Sequence, residues 1–165
     1  MSTYPSAPSG RVHAGPDGQR LVIERDFRAP IDDVWASLTD PDRVARWYGG
    51  IEGELRPGST VMVTMSAEDG APAEPMRIIG CEPPTRFLVE TAGMGEPWRL
   101  EVELAESEGI TTMAFTHHLP VGLNAEDFGA GWEFYADRHH ASFNNNPMPD
   151  WDADRYQELL GPHYA

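Results

Sequence analysis

The sequence predicts an α+β fold in which a curved antiparallel sheet of six or seven strands surrounds one long helix near the C-terminus. Three observations lead to this prediction. A strand pattern and two short helical patterns come first, within residues 23–48. A run of short strand patterns follows, and the turn residues between them favour hairpins and antiparallel pairing. Residues 125–144 then show the period of a helix with one apolar face.

Length and charge exclude several classes of protein. A chain of 165 residues suits one domain of ordinary size, large enough to bury a core without disulfides. It carries 12 Lys+Arg against 27 Asp+Glu, a formal net charge of −15, and it contains no lysine. So acidic a surface repels phosphate groups and anionic lipids. We therefore expect neither a nucleic acid nor a membrane as a partner.

The N-terminal segment and the cysteine content bear on organisation and compartment. Residues 1–10 are rich in Ser, Pro and Gly and predict a flexible leader, with residues 11–165 as a single domain. There is no signal-peptide pattern and no apolar run long enough to span a membrane. Cys81 is the single cysteine, which excludes an internal disulfide and predicts a cytoplasmic location.

The first two strands are predicted around a turn at residues 16–18, Pro-Asp-Gly. One begins near Arg11. In the other, apolar and polar residues alternate with an irregularity near Asp26, and the pattern ends at Pro30. The inward residues of this second strand are Leu21, Ile23 and Phe27, and the outward ones are Arg20, Glu24 and Arg28.

Two short helices are predicted next. The apolar face of the first consists of Ile31, Val34, Trp35 and Leu38. Asp40 can cap the second helix, and Pro41 suits its first turn, where a backbone amide has no helical partner in any case. Val44 and Trp47 share one face of this helix, and Gly49-Gly50 are expected to end it.

Five further strands are predicted, joined by short links that contain Gly, Pro or Asp. They span residues 60–67, 76–82, 86–91, 98–105 and 110–118. The fourth of these has the clearest alternation, with charged residues on one face. Its other face consists of Trp98, Leu100, Val102 and Leu104. One packed face and one face in water are typical of an antiparallel sheet.

The long helix is expected to lay one face against this sheet. Its apolar stripe consists of Phe128, Trp132, Tyr135, Ala136, His139 and Phe143. We expect the opposite face, which carries Glu126, Glu133 and Asp137, to be solvated. Gly129 and Gly131 weaken the helix and indicate either close backbone approach or ligand access. A short terminal helix is predicted over residues 151–160.

The order of these short motifs resembles the bacterial activator-of-heat-shock-ATPase-homologue-like family, within the START-like or Bet-v-1-like (SRPBCC) superfamily. The resemblance covers the chain from about Arg11 onwards. It rests on Ala29-Pro30, Val34-Trp35, Asp40-Pro41, Trp47, Gly131-Trp132, Asp150-Trp151 and Tyr164. It implies a helix-grip fold with a cavity between the sheet and the long helix, used across the superfamily for lipids, sterols, polyketides and plant hormones.

The resemblance does not imply the activity in the family's name. The eukaryotic cochaperone makes much of its chaperone contact through a separate N-terminal domain, for which a chain of 165 residues leaves no room. Chaperone contact is therefore not the expectation for this chain.

Histidines are the remaining candidates for chemistry, since phosphate loops, Gly-x-Ser-x-Gly and His-Glu-x-x-His motifs are missing. His117 and His118 are adjacent on a strand, so only one can face inward, and the apolar phase leaves open which. An inward His117 and His139 could meet across the cavity as an acid/base pair, or as two metal ligands without a carboxylate third. In a cyclase-like enzyme, either histidine could move protons together with Tyr135. We expect instead that they are structural, with no metal and no cofactor.

Ligand contact is the favoured interpretation of the apolar positions. The predicted lining residues are Trp47, Met65, Met113, Phe115, Trp132, Tyr135 and His139. Flexible methionines and aromatic rings suit an apolar ligand of irregular shape, although they also suit an ordinary core. The leading hypothesis is a protein that holds an apolar or amphipathic small molecule, such as a lipid or a polyketide-like metabolite. The alternatives are a polyketide cyclase or dehydratase-like enzyme and a chaperone-interacting protein.

Overall fold

Eight strands and four helices make up the described part of the chain, residues 10–65, 72–91, 97–149 and 153–164 of a computed structural model. The strands are β1 (Gly10–Gly15), β2 (Gly18–Phe27), β3 (Gly49–Glu52), β4 (Thr60–Met65), β5 (Glu74–Glu82), β6 (Arg86–Thr91), β7 (Trp98–Ser107) and β8 (Ile110–Pro120). The helices are α1 (Ile31–Thr39), α2 (Pro41–Val44), α3 (Gly129–Phe143) and α4 (Ala153–Tyr164), and a 3-10 turn at Ala125–Asp127 precedes α3.

The strands form one curved antiparallel sheet in the order β1-β2-β8-β7-β6-β5-β4-β3, which confirms the predicted α+β architecture. The apolar stripe of α3 faces this sheet. The ring centroid of Trp132 lies 4.7 Å from that of Phe115 on β8, and the ring centroid of Phe143 lies 5.0 Å from that of Phe27 on β2. Aromatic pairs at these separations are in packing contact, so α3 lies in the concave side of the sheet.

The strand count is higher than predicted because Gly49-Gly50 begin β3. We interpreted this pair as the end of a helix, but α2 already ends at Val44, and Gly49 lies opposite Met65 in an antiparallel pairing with β4. A Cβ atom at Gly49 would overlap the carbonyl oxygen of Thr64. The glycine is therefore required by the close approach of two strands.

The predicted turn joins β1 to β2, but the predicted irregularity near Asp26 is wrong. The pairing of β2 with β8 runs without a break from Gly18 opposite Pro120 to Phe27 opposite Thr111. The inward position between Ile23 and Phe27 belongs to Arg25, which is buried. The charged Arg25 interrupts the row of apolar inward residues, and this interruption resembles a bulge in the sequence pattern.

The two short helices have the predicted apolar face and cap. Val34 and Leu38 of α1 are buried in a core cluster with Phe27. The side chain of Asp40 accepts a hydrogen bond of 3.0 Å from the backbone N–H of Asp42, which caps α2. These contacts set the position of the α2–β3 connection, which carries Trp47.

Helix α4 covers the face of α3 that we predicted to be solvated. Glu126 is exposed, but Glu133 and Asp137 have no exposed surface. The guanidinium of Arg25 lies 3.4 Å from a carboxylate oxygen of Glu133 and 2.8 Å from one of Asp137. The prediction was wrong because a helical period separates two faces of a helix and does not reveal that another helix and a buried cation will cover the polar one.

The end of α4 packs against the first residue of β1. Residues 151 and 152 of the predicted terminal helix lie outside the described residues, and α4 continues to Tyr164. The Tyr164 ring lies so close to Gly10 and Gly129 that a Cβ atom at either glycine would overlap it. Residues 1–9 of the predicted leader lie outside the described residues, whereas Gly10 is the first residue of β1.

Candidate functional site

An apolar cavity of about 110 Å³ lies between α3 and the sheet. The sheet contributes the side chains of Met76, Val89, Leu100, Val102, Met113 and Phe115. Helix α3 and the α2–β3 connection contribute Trp132, Tyr135, His139, Trp47 and Tyr48. Antiparallel strands point alternate side chains inward, so the inward rows of β5 to β8 supply one wall and the stripe of α3 supplies the other.

Six of the seven predicted lining residues lie on this wall. They are Trp47, Met113, Phe115, Trp132, Tyr135 and His139. Met65 does not line the cavity, because it is the last residue of β4 and packs at the side of a core cluster opposite Gly49. Ligand contact by the six remains a prediction.

His139 is buried between three elements, and the described residues provide it with one hydrogen-bond partner. Its Nε2 lies 2.8 Å from the hydroxyl oxygen of Ser37 on α1, and that hydroxyl donates to the carbonyl oxygen of Val34 at 2.6 Å. Burial, helped by the nearby charges of His140, Arg43 and Arg25, lowers the pKa of His139 to about 3. The ring is therefore neutral at neutral pH. Its Nδ1 is buried and has no partner among the described residues.

His117 is the inward member of the histidine pair. Its Nδ1 accepts a hydrogen bond of 2.9 Å from the indole N–H of Trp132, and burial together with neighbouring His118 lowers its pKa to about 4. His118 faces outward, with Nε2 3.0 Å from a carboxylate oxygen of Glu101. The sequence left this choice open.

The two inward histidines have separate surroundings. The ring of His117 contacts Trp98, Phe128 and Trp132. The ring of His139 contacts Phe27, Trp47 and Phe143. Neither the acid/base pair nor the two-histidine metal site considered from the sequence is assembled by these contacts. Among the residues that the structure describes, no three His, Cys, Asp or Glu side chains are grouped as metal ligands.

Two hydrogen bonds hold Trp47 on the cavity wall. Its indole N–H donates to the carbonyl oxygen of Ser37 at 3.0 Å, and its own carbonyl oxygen accepts from Arg138 Nε at 2.8 Å. Trp47 thereby joins α1 to α3 beside the cavity. Tyr48, the next residue, contacts the ring of Tyr135 at a centroid separation of 5.4 Å.

Two residues that contact predicted side chains of α3, Ser37 and Tyr48, were not singled out from the sequence. Ser37 lies beside Val34 and Leu38 on α1, so a hydroxyl within a buried face was the available signal. Tyr48 carried no periodic signal, because it follows the end of α2. Both acquire their roles through contacts with α3, about a hundred positions further along the chain.

A family model matches residues 28–141, more than half of the chain, and describes activator of Hsp90 ATPase homolog 1-like proteins. The chain belongs to this family. The predicted family membership is thereby confirmed. A comparison with curated proteins gives no match.

Solved structures similar to this family member confirm the helix-grip fold. The crystal structure of CalU16 from Micromonospora echinospora has a TM-score of 0.73 and 24% identity over 93% of this chain and 91% of that one. A Bordetella parapertussis protein solved by NMR has a TM-score of 0.72 and 24% identity over 99% of this chain and 94% of that one. DynU16, a putative protein in the dynemicin biosynthetic locus, has a TM-score of 0.69 and 24% identity; 81% of this chain matches 51% of that one.

In the part of the chain that the structure describes, no helix is both long enough and apolar enough to cross a bilayer.

Proposed function

We propose that this family member binds an apolar or amphipathic small molecule in the cavity between α3 and the sheet. The observation that carries the proposal is the wall itself, where aromatic rings and methionines from the sheet, α3 and the α2–β3 connection enclose a space with few polar atoms. Burial of apolar ligand surface there would supply the binding free energy.

The volume of the cavity limits what enters without rearrangement. An apolar protein cavity of about 150 Å³ holds a benzene molecule, so about 110 Å³ accepts at most one small ring or a short chain. A larger lipid or polyketide-like metabolite requires side chains to move. Met76 and Met113 are unbranched and adaptable, and they line the space. DynU16 belongs to a biosynthetic locus, and this supports a metabolite as the ligand.

The state of His139 favours binding over catalysis. A general base works best when its pKa lies near the working pH. A pKa of about 3 makes the His139 ring a poor proton acceptor at neutral pH. A cyclase-like reaction through His139 and Tyr135 would need a base of higher pKa, whereas a carrier needs only a shaped apolar space and a few polar atoms.

Filling the cavity tests the proposal. Ala136 lies on the cavity wall, so the A136L substitution adds three carbons to the space. The G131L substitution is the matched control, because a Cβ atom at Gly131 on the same helix meets nothing within 4 Å. We expect toluene to bind the native protein and G131L in a calorimetric titration and to bind A136L at least tenfold more weakly.

The outcomes separate cavity binding from a role as an interaction protein. Equal binding of toluene to A136L and G131L, or no binding to the native protein, would contradict the cavity proposal. A chaperone that copurifies with a protein unable to bind any apolar probe would favour the interaction reading instead.

A further inference from the structure

The outer face of the sheet, which points away from α3, arranges its residues in three rows that cross the five strands from β2 to β5. The alternate residues of these strands, such as Leu21 on β2 and Leu100 on β7, are buried on the other face. Strand pairing sets the order β2, β8, β7, β6, β5 along each row. The first row consists of Arg20, His118, Arg99, Glu90 and Arg77, and the middle row consists of Val22, Thr116, Glu101, Leu88 and Gly80. The third row consists of Glu24, Ala114, Glu103, Arg86 and Glu82.

The charges of the third row are opposite to those of the first row on each strand where both rows carry an acidic residue or an arginine. The pairs are Arg20 and Glu24 on β2, Arg99 and Glu103 on β7, Glu90 and Arg86 on β6, and Arg77 and Glu82 on β5. Cross-strand pairing explains the alternation along a row, as in the contact of 2.8 Å between Arg99 and Glu90. It does not explain the inversion between rows, because four residues along a strand separate the rows by about 14 Å. Charges so far apart in one chain are largely screened at physiological ionic strength, where the Debye length is about 8 Å.

A second copy of the chain, turned by a twofold rotation about the middle row, brings the two outer rows together. This rotation keeps the place of each strand along the row and exchanges the first row with the third. Arg20 of each copy then faces Glu24 of the other copy, and the remaining three pairs also oppose unlike charges. Each pairing occurs twice, because the same patch serves both copies. A uniformly acidic partner would instead meet like charges in the third row, so a second copy fits this surface better.

The middle row suits a line of contact between two such faces. Its side chains are short or apolar at Val22, Thr116, Leu88 and Gly80, whereas the flanking rows carry long arginine and glutamate side chains. Glu101 would approach its own copy, but its carboxylate is compensated by Arg86 at 2.5 Å and by His118 at 3.0 Å. Because α3 occupies the concave side of the sheet, the outer face is convex. Two convex faces touch along the middle, and the long side chains can bridge the gap on either side.

We propose that two copies of this chain associate through the outer face of the sheet, about a twofold axis along the middle row. In the part of the chain that the structure describes, the exposed side chains of Arg20 and Glu24 form no ion pair, so association gives both a partner. The rows cover about 19 Å by about 14 Å, less than the roughly 800 Å² that each partner buries in a standard interface. The dimer is therefore a weak one. Physiological salt damps the repulsion between two chains of net charge −15.

Charge reversal on β2 tests the proposal without disturbing a buried contact. In sedimentation equilibrium at up to about 1 mM protein and about 0.15 M salt, the native protein should form dimers. R20E and E24R should each raise the dimer dissociation constant at least about fivefold, because each places like charges opposite one another twice. E24R also makes the chain less acidic, so net charge alone would predict tighter association. The controls R46E and E158R make the same charge changes at exposed positions after α2 and on α4, and they should change the constant less than about twofold.

Two recombinations of the charges should restore the dimer. The double variant R20E/E24R exchanges the opposed charges, and an equimolar mixture of R20E with E24R should form heterodimers, each with native-like affinity. A double variant as weak as the single ones, or E24R that associates as tightly as E158R, overturns the inference. Native protein that remains monomeric at about 1 mM also overturns it. These outcomes leave the cavity proposal intact, because toluene binding tests that proposal separately.

Discussion

His117 and His139 have 0% and 1% of their surface exposed, and both are held neutral by burial. Each places one nitrogen in a hydrogen bond with a neighbouring element, His117 with Trp132 on α3 and His139 with Ser37 on α1. Their neutrality has a consequence for stability, because an unfolded chain exposes both rings to water and lets them take up protons.

The first prediction concerns pH. The folded pKa values, about 4 for His117 and about 3 for His139, lie below the ordinary value of 6.5. Below pH 6.5 the unfolded state therefore binds more protons, so the stabilisation is complete above pH 6.5 and is lost as the pH falls towards 4 and 3. At pH 5 each histidine should lower the free energy of unfolding by about 2 kcal/mol relative to its value above pH 6.5. Urea denaturation at a series of pH values measures this loss.

Variants assign the loss to these two side chains. H139F and H117F should each flatten the dependence of the unfolding free energy on pH between 6.5 and 5. Replacement of His13, which is exposed on β1, should leave it unchanged. Stability that is independent of pH in the native protein over this range would contradict the prediction.

At the scale of elements, α3 has two buried faces that make different contacts. One lines the cavity, and the other packs under α4, where Arg25 lies between Glu133 and Asp137 and the hydroxyl of Tyr156 donates to Asp137 at 3.0 Å. This polar cluster joins β2, α3 and α4. These contacts hold α3 against β2 and α4.

The second prediction tests this cluster. R25M removes a cation and leaves the two carboxylates buried, so it should lower the unfolding free energy by about 3–5 kcal/mol. R99M is the control, because Arg99 pairs with Glu90 on the exposed face of the sheet and its loss should cost at most about 1 kcal/mol. Urea denaturation compares them. Equal losses would show that burial does not strengthen the pairing of Arg25.

The third prediction uses the two glycines of α3. Alanine is favoured over glycine in a helix by up to about 1 kcal/mol, and G131A should gain this amount because nothing lies near its new methyl group. G129A should instead lose about 1–3 kcal/mol, because its methyl group overlaps the Tyr164 ring of α4. Thermal unfolding of both variants provides the comparison. Stabilisation by G129A would mean that α4 does not pack as described.

At the scale of the whole molecule, local sequence patterns predicted the architecture. They predicted the residues of the cavity wall only in part. Strand alternation and the stripe of α3 placed six of the seven named residues on the wall, because a periodic pattern reports which side chains face the core. Met65 was misplaced because the position of a strand's last residue depends on its partner, and β3 was not predicted.

The remaining features depend on contacts between distant parts of the chain. Ser37 contacts His139 only because α1 packs against α3 in the folded chain. Glu133 is buried only because α4 and Arg25 cover it. Such pairings cannot be read from the period of one segment. Buried polar residues inside an apolar pattern, such as Arg25 in β2, were the signal available in the sequence.

Methionine-methyl NMR tests the central claim, a ligand-binding space between α3 and the sheet, most directly. Met76 and Met113 line the cavity, whereas Met62 is exposed on the outer side of β4. Titration of toluene into protein labelled with carbon-13 in its methionine methyl groups should shift the resonances of Met76 and Met113 in a saturable manner and leave that of Met62 in place. Unchanged Met76 and Met113 resonances, with any shift confined to Met62, would contradict the claim.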